Sequence, residues 1–278
     1  MRFAELRCEA RWTFDLETVT PLSIRSATAG NLDPRRPDME VVRTRLTPGG
    51  PAVPYMPGSS VRGVLRARAG RILNTIVRDP PPPGREGWRV EDLFGHVNGQ
   101  DAARGRLAVA DAHPVGSDGL PAAPHTATRS QAAIDRVSGH AARGALFVPE
   151  VVEQGRFRCE MTVTNFAQWH LRVLAWVLLD VDEGYVTFGG GASRGLGRMR
   201  VHPGSVRLRD FRGPDLRDTD GRRIALSGDT IHGRLCFEAV LPDHRPLLDD
   251  AVLPDADPRN AARPAPEERG TARGGGRR

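Results

Sequence analysis

Two helical stripes, each bracketed by alternating strands, constrain this chain more than any other feature. Arg7 to Thr18 (RCEARWTFDLET) puts Trp12, Phe14 and Leu16 on one parity, the pattern of a strand with one buried face. Val61, Val64, Leu65, Ala69, Ile72, Leu73 and Ile76 then recur at helical spacing, with Arg62, Arg66, Arg68 and Arg71 mostly off that stripe. Ser59 or Ser60 is the expected cap, because a serine hydroxyl satisfies an orphan N–H of the first turn. The helix ends before Asp79 and the Pro80–Pro83 run, which cannot continue it. Arg106 to Ala110 reads as a short strand entered through Gly105, and Arg156 to Thr164 alternates again (Phe157, Cys159, Met161, Val163). Phe166 to Leu179 is a second helix, with Trp169, Val173, Trp176 and Val177 on one side. Tyr185 to Phe188 starts a strand that breaks at a glycine cluster and resumes at Met199 to Val201, and Ile231 to Leu241 adds another. The order is β–α–β, an insertion, then β–α–β. An α+β fold follows, of ferredoxin-like (RRM-type) βαββαβ arrangement. Such a sheet leaves one face open, and RNA-binding proteins often use that face.

Three segments carry little core. Pro21 to Pro57 is rich in Pro, Gly, Asp and Arg, with a short strand expected at Met39 to Val42; loops of that length are usually functional or disordered. His113 to Val148 looks like an insertion. From Pro254 the chain is Pro, Ala, Arg, Glu and Gly, too poor in apolar surface to offset ordering entropy. The expected organisation is one domain over residues 1–253, with an insertion at about 113–150 and a disordered basic tail over 254–278.

Composition excludes several chemistries. The chain has 278 residues and a net charge of +6, and every one of its 40 basic residues is arginine. Without lysine there is no Walker A phosphate loop, no Schiff-base chemistry and no kinase Lys–Glu pair. A surface of planar, permanently charged forks suits phosphate and stacked bases. Cys8, Cys159 and Cys236 stand singly, which gives neither a disulfide framework nor a metal clip and points to a reducing, cytoplasmic compartment. Apolar runs such as Val173 to Leu179 are far shorter than the ~20 residues a bilayer requires. No apolar segment follows the first Arg, so neither a membrane partner nor a secretory signal is expected.

Two segments carry candidate chemistry. Gly189-Gly190-Gly191-Ala192-Ser193-Arg194-Gly195-Leu196-Gly197-Arg198 lets backbone N–H groups approach phosphate oxygens, with Arg194 and Arg198 to add charge-assisted pairs. It leads into a strand, so it is no Rossmann fingerprint; its plain alternative is a mobile turn. In Pro54-Tyr55-Met56-Pro57-Gly58-Ser59-Ser60-Val61-Arg62-Gly63-Val64-Leu65-Arg66, Ser59, Ser60, Arg62 and Arg66 extend a helix start that suits an anion. The alternative there is an ordinary Ser cap with solvated arginines. The eight histidines form no HxxxH or HExxH spacing, and nothing singles one out as a general base. Trp169 and Trp176 read as core, and Asp180, Asp182 and Glu183 as a solvated turn.

The PYMPGSSVRGVLR run resembles the "P-x-x-PGSS-x-(K/R)-G-x-(L/I)-R" signature of the CRISPR-associated RAMP superfamily. GGGASRGLGR resembles that superfamily's glycine-rich loop. Asp92-Leu93-Phe94-Gly95, Gly105-Arg106-Leu107 and Asp111 resemble its "LFG…GRL…D" stretch. Ile134-Asp135-Arg136-Val137-Ser138-Gly139 is similar to the "IDR-x-(T/S)-G" of the repeated backbone subunit in type III effector complexes. The resemblance covers roughly residues 5–202. It implies a palm with an inserted thumb, subunits stacked along a guide CRISPR RNA, and cleavage of target RNA paired with that guide. It also implies other copies of the chain and other effector subunits as partners. The family's cleaving carboxylate matches Asp38, in Arg36-Pro37-Asp38-Met39-Glu40-Val41-Val42-Arg43, as catalytic residue and ligand of a divalent cation, Mg2+. The usual glycines around it are replaced by Asp33-Pro34-Arg35-Arg36-Pro37, which makes Asp33 a rival. RNA contacts are expected at Ser59, Ser60, Arg62, Arg66, Arg129, Arg136, Gly190, Gly191, Arg194, Gly195, Gly197 and Arg198. A purely structural subunit that only binds guide RNA is the alternative.

Overall fold

The computed structural model describes residues 4–25, 37, 39–77, 88–98, 101–213, 215–225, 230–232, 237–250 and 252–253. Asp33, Asp38, Cys236 and the tail 254–278 lie outside them.

Alternation along β1 (Cys8–Thr18) buries Cys8, Ala10, Trp12, Phe14 and Leu16 on one face. A short hairpin, β2 (Arg43–Arg45) and β3 (Ala52–Pro54), leads into α1 (Gly58–Ile76). Then follow α2 (Val90–Phe94), a hairpin of β4 (Gly95–Asn98) and β5 (Asp101–Arg104), β6 (Leu107–Val109) and β7 (His113–Val115). The insertion is itself β structure: β8 (His125–Thr128), β9 (Gln131–Ile134), β10 (Ala141–Phe147) and β11 (Glu150–Gln154). The chain returns through β12 (Arg156–Thr164), α3 (Gln168–Asp182), β13 (Met199–Asp210), β14 (Thr230–His232) and β15 (Phe237–Leu241).

The central sheet runs β14-β15-β13-β1-β12-β6, with β7 also paired to β12, and every pairing in it is antiparallel. The two helices pack against each other, α1 beside β6 and α3 beside β13. Val61, Leu65, Ala69 and Leu73 of α1 join Phe157, Cys159, Met161 and Val163 of β12 in one core. Burial pushes the Cys8 thiol up to about 12 and the Cys159 thiol higher still, so both are packing residues.

The other sheet face is polar. Arg158 pairs with Asp15 (2.9 Å), Arg156 with Glu17 (3.0 Å) and Arg11 with Glu160 (3.6 Å) across neighbouring strands. Among the described positions of β1, β12 and β13 that alternate outward, none is Phe, Tyr or Trp. On these three strands the open face expected to serve RNA therefore offers no Phe, Tyr or Trp for stacked bases; its rings are His202 of β13 and, on β7, His113, which stacks on Tyr55.

Several boundaries differ from expectation. Tyr185 to Phe188 is no strand; Thr187 makes one isolated bridge to Arg198. β13 is much longer than Met199 to Val201, because its polar outer residues obscure the period while Val206 and Leu208 remain buried beneath. No helix among the described residues is long and apolar enough to cross a membrane.

Candidate nucleic-acid interface

The α1 start is built from several motifs at once. Neither serine caps it. Pro57 is the N-cap without a side-chain bond, and the Gly58 N–H donates to Asp111 Oδ1 at 2.8 Å. The carboxylate that follows β6 thus caps the helix from outside, where an anion also meets the favourable end of the helix dipole. Gly58 packs so tightly on Val109 and Ala110 that a Cβ there would fall on their backbone. Ser59 is exposed and Ser60 half-buried. Arg62 donates to the Phe94 and Leu107 carbonyls and lies 5.8 Å over the Phe94 ring, which turns it inward. Arg66, one turn on, is half-buried.

The LFG and GRL runs lock together behind this helix. Gly95 has φ 75°, and it meets Gly105 so closely that neither has room for a side chain. Asp92 Oδ2 accepts from Arg106 Nε (3.2 Å) and from His170 Nε2 (2.9 Å). His170 Nδ1 accepts the Ala167 N–H (2.8 Å), so the proton resides on Nε2. Burial drives the His170 pKa down, against the opposing pull of Asp92. Trp88 packs on Trp169 with tilted rings (centroids 5.0 Å apart, 34°), and Trp169 packs in the same way on His170 (4.0 Å, 47°). Nothing in the histidine spacing pointed to this buried knot; the Trp-His pair opening α3 was its one trace.

At the far end of β1 the glycine loop is stitched to residues 20–23. Gly190 N–H donates to Ser23 O (2.8 Å), Gly197 N–H to Pro21 O (2.9 Å) and Arg198 N–H to Thr20 Oγ1 (2.9 Å). Gly191 (φ 82°) and Gly195 (φ 78°) are left-handed and flank a single turn, Ala192–Arg194. Phe188 N–H donates to Gly197 O (2.8 Å) and closes the loop's neck. The two loop arginines are both exposed but lie apart: Arg198 packs beside Gly184, while Arg194 lies 5.7 Å over the Phe147 ring, at the end of the insertion.

The segment on either side of Asp38 joins the same end of the sheet. Arg25 bridges Val41, Met39 bridges Pro149, and the Glu150 N–H donates to Met39 O (2.9 Å). Glu150 in turn accepts from Val41 N–H (3.0 Å) and from the Arg43 fork. Burial raises its pKa, but those bonds outweigh it and hold the carboxyl below its usual range. Val42 O accepts from Tyr55 N–H (3.4 Å), which ties this segment to the PGSS run. Arg25 and the Arg43–Glu150 pair were missed in the sequence because they lie in a stretch without period.

Two expected residues stand on the insertion. Arg129 pairs with Glu153 (3.3 Å). Arg136 is exposed on the β9–β10 turn, which Asp135 shapes by accepting the Val137 (2.9 Å) and Ser138 (2.7 Å) N–H groups. Those bonds lower the Asp135 pKa. Among the described residues no group of three or more His, Cys, Asp or Glu is placed to hold a metal ion.

An antiparallel sheet backed by two helices, with a glycine loop at one end and a β insertion beside it, defines the class. Residues 15–200 match the model of the RAMP superfamily, and the chain belongs to that superfamily. Among solved structures it is similar to a chain titled "Type IV-B CRISPR Complex" at 16% identity, with 69% of this chain and 89% of that chain covered and a TM-score of 0.51. No curated protein matches it.

Proposed function

We propose that this chain is a guide-RNA-binding backbone subunit of a type III CRISPR interference complex, cytoplasmic, stacked with other copies and other effector subunits, that cleaves complementary target RNA at regular intervals. The observation that carries the reading is the convergence at one sheet end: the glycine loop, the segments flanking Asp38 and the end of the insertion are tied by the Ser23–Gly190, Arg25–Val41 and Met39–Pro149 backbone pairings. The order β13-β1-β12-β6, with α1 and α3 as crossovers, supports reading the core as a ferredoxin-like palm with residues 113–150 as its thumb. Superfamily membership supports an effector subunit.

RNA brings its own nucleophile. With the target strand held, a 2′-hydroxyl attacks the adjacent phosphorus, its proton passes to Asp38, and the 5′-oxygen leaves and is protonated, which gives a 2′,3′-cyclic phosphate. Orientation supplies much of such a rate. A resident Mg2+ would draw on Asp38, with phosphate oxygens and waters as its other ligands. Backbone contacts to phosphate make the subunit indifferent to sequence.

The test is reconstitution with guide RNA, labelled complementary RNA and Mg2+. Wild type is expected to give regularly spaced cuts, and Asp38→Ala to lose at least about 100-fold in rate while target binding persists. A second reading, a structural subunit without nuclease activity, is favoured by the fold likeness to a type IV-B complex chain and by the Asp33–Pro37 run in place of glycines. Tight binding without cuts in either protein would establish it.

A further inference from the structure

The two faces of the molecule differ in what they leave uncovered. On the sheet side, outward charges pair with one another across strands, as Arg158 does with Asp15. On the helix side, a cavity of about 320 Å³ opens between the second halves of α1 and α3. Ile72 and Ile76 of α1 line it together with Trp176 and Leu179 of α3. Ile72 and Trp176 are partly buried against the core, whereas Leu179 is 39% exposed. Among the described residues of the two helices, Leu179 is the one large apolar side chain left exposed.

The charged groups of this groove do not balance. Arg68 Nε donates to Asp180 Oδ2 at 2.6 Å, and its guanidinium lies 5.6 Å over the Tyr185 ring. That pair neutralises itself. Arg71 also lines the groove, since residues three apart on a helix share a face. It is exposed, and no carboxylate among the described residues pairs with it. Apolar side chains beside one unmatched cation suit a ligand that is apolar on one side and anionic on the other. A phosphate backbone matches poorly, because its binding rests on several cations together and gains nothing from isoleucine and leucine.

We propose that this groove is the docking site for an amphipathic helix of another protein, which sets aliphatic side chains against Leu179 and Trp176 and a carboxylate against Arg71. The stretch from Arg68 to Ile76 rises about 12 Å along the helix axis, the length of roughly two turns of such a partner. Helix-in-groove binding uses this arrangement, with apolar anchors spaced three or four residues apart. A second copy of this chain has no helix to offer. Its α1 and α3 already turn their apolar stripes into the core, and the remaining described α-helix, α2, is little more than one turn with Leu93 and Phe94 buried. The groove belongs to the helix layer, across the sheet from the polar face, so the proposal goes beyond the RNA-binding reading and does not depend on it.

The experiment is a fluorescence-anisotropy titration of the full-length chain with a labelled helical peptide made of three repeats of Leu-Glu-Glu-Leu-Leu-Ala-Glu, beside a counterpart with Lys in place of every Glu. Wild type is expected to favour the acidic peptide about tenfold, since like charges brought together at Arg71 oppose the basic one. Leu179→Glu is expected to weaken the acidic peptide about tenfold by the same repulsion while melting with wild type. Arg71→Glu, at an exposed position, is expected to reverse the preference. Arg200→Glu makes the same charge change on the polar face of β13 and should bind both peptides as wild type does, which separates the groove from general attraction to a chain of net charge +6. Equal affinity for the two peptides would overturn the proposal, as would an acidic-peptide affinity that Leu179→Glu leaves unchanged. So would displacement of the peptide by oligouridine, which would assign the groove to RNA. A self-association of wild type that Leu179→Glu abolishes would assign it to a second copy and overturn the proposal as well.

Discussion

The start of α1 and the glycine loop are both dense in motif residues, yet they use their polar groups in opposite directions. Around α1 those groups face inward: Gly58 N–H to Asp111, Arg62 to two carbonyls, Asp92 to Arg106 and His170. Around the loop the backbone is fastened to residues 20–23 while Arg25 and Arg194 remain at the surface. A glycine-arginine motif can thus encode either a joint or a contact, and its partners decide which. The first region is closed on itself, since Met56, next to Pro57, exchanges backbone hydrogen bonds with Ala112 beside the capping Asp111 (2.9 and 2.8 Å).

The contrast breaks most sharply at Asp92. Asp92→Ala leaves Arg106, whose side chain is 7% exposed, without its carboxylate and removes the acceptor of His170. The expected loss is about 3–5 kcal/mol, the cost of stripping one partner from a buried ion pair. Urea unfolding measures it, and a loss under about 1 kcal/mol would mean that the knot is a surface pair. A smaller effect compares the two arginines directly. Arg62→Ala should lose about 1.5–3 kcal/mol, because two carbonyls lose a charged donor. Arg194→Ala should stay within about 0.5 kcal/mol of wild type and act on RNA affinity instead. Equal melting temperatures for the two would erase the distinction between joint and contact.

The layout of strands and helices was legible because apolar periodicity dictates it. β1, β12 and both helices fall within a few residues of their expected bounds, and the glycine loop lies between α3 and β13 as its sequence implied. What escaped were pairings between distant residues. The serine cap was expected because Ser59 precedes the stripe, but the group that caps α1 is Asp111, across 53 residues. Arg62 read as a surface cation, since nothing local shows that Phe94 and Leu107 carbonyls await it. Asp180 and Asp182 read as a solvated turn, whereas Asp180 pairs with Arg68 (2.6 Å) and Asp182 accepts the Val201 N–H (3.0 Å). A side chain's direction depends on which segment arrives opposite it, and spacing along the chain does not carry that.

The smallest expected effect concerns the protonation of the buried knot. Burial lowers the His170 pKa from 6.5, so the unfolded chain takes the proton more readily than the folded one. Its contribution to stability is complete above pH 6.5 and is lost as the pH falls from there through the lowered value. His244, lowered by burial as well, adds a loss of the same sign. The carboxyls of Glu17 and Glu150 sit below their usual 4.5 and act only in stronger acid. The Asp218 carboxyl, raised by burial, works in the opposite sense. Between about pH 7.5 and 5.5 the urea midpoint of wild type should therefore fall. His170→Gln starts less stable but should fall less over the same range, since it carries no titrating group at that position and shares all the others. Parallel pH profiles for the two proteins would show that His170 takes up its proton without leaving the fold, and that the joint behind α1 is looser than its hydrogen bonds imply.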